Sequence, residues 1–111
     1  MVRNQTPETD AEPPSIDSEP IVRLFDNPSN VRILVVLADA AGAALPPGDI
    51  AEQANIDRSA WYRNKDELLE LGVIEEAGEV GNTQTYRFAT DTEAYQGFTH
   101  LYDGLIDQVN D

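Results

Sequence analysis

Between Arg58 and Lys65 the chain carries three bases, Arg58, Arg63 and Lys65, and no acid. Over the whole chain the balance is the reverse: 111 residues hold 21 acids and 7 bases, a formal net charge of −14. A second stretch, Val80 to Thr90, holds one base, Arg87, and no acid. Basic side chains in segments stripped of carboxylates are what contact with phosphate oxygens requires. Acids return at Asp66, Glu67 and Glu70. A plainer reading stands beside this one: each base is a solvated surface residue or a local ion pair, such as Arg63 with Glu67 four residues on.

Other chemistries are excluded early. The chain has no cysteine and one histidine, His100. Disulfide scaffolds, zinc ribbons and thiol catalysis therefore fall away, and metal sensing has no support. No nucleophile–base pair, phosphate loop or metal cluster is present, so no enzyme and no cofactor is expected. The longest apolar run, Ile33 to Ala38, is far short of the roughly 20 residues of a membrane helix. Nothing near the N-terminus resembles a signal peptide. A cytoplasmic protein with no membrane partner is expected.

The elements that must position the basic stretch follow from local signals. Residues 1–20 hold Pro7, Pro13, Pro14 and Pro20 among acids, which predicts a disordered acidic tail. A single domain over 21–90 opens with an apolar turn at Ile21, Val22, Leu24 and Phe25. Asn27-Pro28 is a helix start, since Asn caps and Pro suits the first helical position. The segment Ser29–Ala41, apolar nearly all round, reads as the central buried helix, ended by Gly42. A short second helix runs from about Asp49 to Ala54. Asn55 suits a left-handed turn. A third helix runs from Asp57 or Arg58 to Leu71, stopped by Gly72. Val73-Ile74 and Tyr86 with Phe88 read as strands around the loop Gly78–Thr83. Residues 91–111 form a last helix, capped by Asp91 or Thr92. Its stripe is Tyr95, Phe98, Tyr102, Leu105 and Val109, with Leu101 and Ile106 beside it. The fold class is thus mainly α with a small β-hairpin.

The stretch Ile50 to Arg63 resembles a helix-turn-helix, and Leu68-Leu69-Glu70-Leu71-Gly72-Val73-Ile74 resembles a recognition helix running into its wing. Together they are similar to the winged helix-turn-helix regulators of prokaryotes, of the broad ArsR and MarR kind, over about residues 29–90. Position 65 departs from the pattern: it is apolar in the family and Lys65 here, on the same side as Trp61 and Leu68 by helical geometry. Either Lys65 snorkels past the core to a phosphate, or the helix is offset. The single lysine beside many acids resembles halophilic archaeal proteins.

The resemblance implies a transcription regulator that binds double-stranded DNA as a homodimer, with helix 57–71 in the major groove and wing 73–89 on the backbone or minor groove. Ser59 and Arg63 would face outward with Tyr62 on a flank. Arg63 would bond guanine, while Arg58 and Lys65 touch phosphates. Asn82, Thr83, Gln84 and Arg87 would serve the wing. Tyr95, Phe98, Leu101, Tyr102, Leu105, Ile106 and Val109 would form the dimer interface and set two half-sites about one DNA turn apart. The same stripe could instead cover the domain's own core. No small-molecule effector is evident. Two other readings remain: a winged helix used for protein contact in a transcription complex, and an acidic DNA mimic.

Overall fold

The computed structural model describes residues 15–110. The tail expected over 1–20 lies outside these residues as far as position 14. Within them, Ile16–Ser18 form a 3-10 turn and Pro20 already opens a helix. That helix, α1 (Pro20–Phe25), replaces the apolar turn expected at Ile21–Phe25. It packs a half-buried Leu24 against the core and leaves Ile21 exposed.

Helix α2 (Pro28–Asp39) starts where Asn27-Pro28 predicts, and Asn27 accepts a hydrogen bond from Ser29 N at 2.9 Å. It stops two residues before the expected end, because Ala41 and Gly42 both take positive φ. Ile33, Leu34 and Leu37 on α2 are wholly buried. Helix α3 (Pro47–Ala54) ends on Asn55, which is left-handed at φ 59° and ψ 50°. That turn delivers the chain into α4 (Arg58–Glu70). Gly72 then adopts φ +78°, a conformation that costs a side chain about 1 kcal/mol or more, and the chain leaves for the hairpin.

Strands β1 (Ile74–Val80) and β2 (Thr83–Phe88) pair antiparallel. The expected six-residue loop is instead a two-residue turn, Gly81-Asn82, with Gly81 at φ +65° in the first central position. A bulge separates Glu76↔Tyr86 from Gly78↔Thr85. Ala77 is the extra residue, so side chains beyond it change face. Thr85 Oγ1 and Gln84 Nε2 both donate to Gly78 O, at 2.8 and 3.0 Å, and hold the bulge. Leu45 exchanges two backbone hydrogen bonds with Tyr86, at 2.8 and 2.9 Å, pinning the α2–α3 connection to β2.

The core gathers α2, α3, α4 and one face of the hairpin. Trp61 is fully buried, with its ring edge-on to Tyr86 at 4.9 Å. Truncating it to alanine would cost about 3–5 kcal/mol. Helix α5 (Glu93–Val109) is capped by Thr92, whose Oγ1 accepts from Tyr95 N at 3.2 Å. Its stripe divides. Tyr95 and Phe98 close over Phe88 with ring centroids at 5.0 and 5.6 Å, and Tyr102 stacks on Phe98. Leu101, Leu105, Ile106 and Val109 stay exposed. The order, four helices of which α3 and α4 form a helix–turn–helix, then a hairpin, then a last helix, is that of a winged helix-turn-helix domain.

Candidate nucleic-acid interface

The face of α4 turned to the core is Ala60, Trp61, Asn64 and Leu68, all buried. The expected inner position 65 is thereby corrected by one: Asn64 is inside and Lys65 is on the flank. Asn64 manages burial because its polar atoms are matched. Its Nδ2 donates to Ala60 O at 2.7 Å, and its Oδ1 accepts from Asn27 at 2.9 Å. Lys65 remains 24% exposed and its Nζ sits 3.1 Å from Asp66 Oδ1. That hydrogen bond with the Asp66 carboxylate raises the lysine pKa. Lys65 therefore approaches any phosphate as half of an ion pair.

The opposite face presents Arg58, Ser59, Tyr62 and Arg63, all exposed. Arg63 Nη1 lies 3.5 Å from Ser59 Oγ, one turn back along α4. The simple pair of Arg63 with Glu67 is not made among the described residues; Glu67 accepts from Arg23 Nε at 3.0 Å. Arg58 begins α4 and reaches over α3: a Cβ built on Gly48 would meet its Nη2 at 2.5 Å. Gly48, read in the sequence only as part of the break Pro46-Pro47-Gly48, thus makes room for the Arg58 guanidinium at the first turn of α3. Among the described residues, neither Arg58 nor Arg63 has a carboxylate within ion-pair range.

The wing differs from its reading in the chain. Arg87 pairs with Glu75 across the hairpin, Nε to Oε2 at 2.6 Å. Glu76 stands opposite Tyr86, and Glu79 opposite Gln84. The acid-free run of β2 is therefore flanked by three acids of β1. Gln84 and Thr85 are occupied at the bulge. Asn82 and Thr83 stay exposed at the tip, joined by Val80, 71% exposed, which sequence reading placed inside the loop. The exposure of a valine beside the turn glycine could not be inferred from periodicity, since the bulge had moved it to the other face.

A shallow apolar groove of about 420 Å³ lies between α1 and α5, with Leu71 and Val73 among its lining. Ile21 and Phe25 of α1 form one wall, and Phe98 and Leu101 of α5 stand on the other. No described helix is long and apolar enough to cross a membrane.

No family model matches the chain, and no curated protein matches it. Solved structures do. A homodimeric winged helix-turn-helix DNA-binding domain from Mycobacterium bovis, described as a possible ArsR-family transcriptional regulator, is similar with TM-score 0.61 and 22% identity, over 80% of this chain and 77% of its own. NolR from Sinorhizobium fredii is similar with TM-score 0.63 and 14% identity, over 86% and 96%. The antimony-specific transcriptional repressor AntR is similar with TM-score 0.61 and 18% identity, over 96% and 98%. At such identities the likeness is one of fold, and the fold of this chain is that of a winged helix-turn-helix domain.

Proposed function

We propose that this protein is a sequence-specific regulator of transcription that binds double-stranded DNA as a homodimer. The observation that carries the proposal is Arg63, exposed on the outer face of α4 with no carboxylate in range, while Trp61, Asn64 and Leu68 hold that helix to the core. A helix so anchored presents Ser59, Tyr62 and Arg63 as a rigid reading surface. Arg63 has the fork that pairs with a guanine edge. Arg58, over the first turn of α3, supplies a phosphate contact.

The dimer surface extends beyond the α5 stripe to α1. Leu101, Leu105, Ile106 and Val109 on one helix and Ile21 and Phe25 on the other are exposed. An apolar surface of this kind is a candidate contact between copies. Tyr95 and Phe98 serve the core within one copy.

The acidic wing favours a second reading, a winged helix that contacts protein. One experiment separates the two: fluorescence anisotropy on duplex DNA from the gene's own upstream region, in molar KCl, with wild type and Arg63→Ala. Loss of about tenfold or more in the variant supports DNA reading, as one good bidentate base contact is worth about 1–3 kcal/mol. No binding by folded, dimeric wild type overturns it in favour of protein contact.

A further inference from the structure

We infer that Arg23 keeps Arg63 available to DNA by holding Glu67, a proposal that rests on α4 being the reading helix. Arg63 and Glu67 stand four residues apart on α4, the spacing at which helical side chains of opposite charge ordinarily meet. Glu67 instead gives its Oε2 to Arg23 Nε at 3.0 Å, and Arg23 Nη2 reaches Glu70 Oε1 at 3.5 Å. One arginine from α1 thus counters two acids of α4. The Arg23 and Glu67 side chains are 35% and 32% exposed, so the pair is partly shielded from solvent. Arg63 turns the other way, to Ser59 Oγ at 3.5 Å.

Glu67 is paired with Arg23 and stands at helical spacing from Arg63. With Arg23 absent, Glu67 is left one turn from Arg63 and competes with DNA for its guanidinium. The residue is a positioning residue, acting through Glu67 and not through contact with DNA. Because α1 also carries the exposed Ile21 and Phe25, the same short helix joins the proposed dimer surface to the reading helix.

Anisotropy titrations on one duplex, in the lowest KCl at which the protein is folded, test this with five variants. Arg23→Met is expected to weaken binding about three- to fivefold, the upper range for exposed ion pairs. Arg23→Lys, which keeps the charge, stays within about twofold of wild type. Arg23→Met with Glu67→Gln recovers to within about twofold, on the same scale of pair strengths. Arg23→Met with Asp39→Asn, which has the same net charge but changes an exposed acid at the far end of α2, does not recover. Thermal melts of each variant report folding separately. Wild-type affinity in Arg23→Met, or equal recovery by both double variants, overturns the inference. Failure of the underlying reading is distinct: there wild type does not bind, or Arg63→Ala binds as wild type does.

Discussion

Asn27 Nδ2 donates to Asn64 Oδ1 at 2.9 Å, joining residues 37 apart in the chain. Asn27 meanwhile caps α2 through its own Oδ1, and Asn64 closes the set by donating to Ala60 O. One side chain thus fixes both the start of the central helix and the middle of α4. Asn27→Ala should destabilise by about 2 kcal/mol: roughly 1 for the lost cap and roughly 1 for the buried amide left unmatched. Urea unfolding measures it. A loss under about 0.5 kcal/mol, within the range of surface substitutions, would mean that neither bond matters.

Arg87 is present on the wing but engaged. Replacing its partner, Glu75→Gln, should release the guanidinium and remove a carboxylate from the hairpin. DNA binding is expected to tighten about threefold while stability changes by less than about 1 kcal/mol, as for exposed ion pairs. Unchanged affinity with unchanged stability would place Arg87 outside the interface.

The salt dependence should be unusual. Lys65 and Arg87 bring their own acids to the interface, leaving Arg58 and Arg63 as its bases without a carboxylate in range among the described residues. A chain of net charge −14 is also repelled by DNA at long range until salt screens it. Affinity is expected to be flat or to rise with KCl between about 0.3 and 2 M, with Debye lengths shrinking toward about 3 Å. An ordinary steep fall, of log–log slope about −6 or beyond, would indicate many phosphate contacts and contradict this geometry.

Leu105 and Val109 are 57% and 81% exposed near the end of α5. If two copies meet there, Leu105→Glu should give monomers in sedimentation equilibrium, because an unpaired charge in an apolar contact costs several kcal/mol. Helix content by circular dichroism should be retained, since Tyr95 and Phe98 still anchor α5 to Phe88. A variant that stays dimeric would move the interface elsewhere.

Burial pushes the Tyr86 phenol pKa up, and the Asp66 hydrogen bond raises Lys65. Both folded-state values lie above the unfolded ones, so both contributions to stability are intact below about pH 10 and are lost as pH rises through the folded values. Melting temperature should fall between about pH 9 and 11, and the fall should be shallower in Tyr86→Phe. An equal slope in wild type and variant would remove Tyr86 from the alkaline transition.

The sequence by itself determined α2 to α5, the hairpin and their order, but not α1, which stands where an apolar turn was expected. Asn27-Pro28, the left-handed Asn55, the stop at Gly72 and the cap Thr92 are decided within a few residues by capping and φ preferences, and each stands where local chemistry puts it. The outward placement of Ser59 and Arg63, with Tyr62 on a flank, followed from helical period in the same way. What the tertiary structure alone decided is which charges meet. Counting along the chain left Val80–Thr90 free of acid, but an antiparallel strand sets Glu75 beside Arg87 and Glu79 beside Gln84. Arg23 and Glu67 pair across 44 residues. The choice of Asn64 over Lys65 for the inside of α4 depends on a partner, Asn27, supplied by another part of the chain. The division of the α5 stripe likewise turns on where Phe88 arrives. Local preference is a property of neighbours in sequence, whereas a charge or a buried amide is defined by neighbours in space.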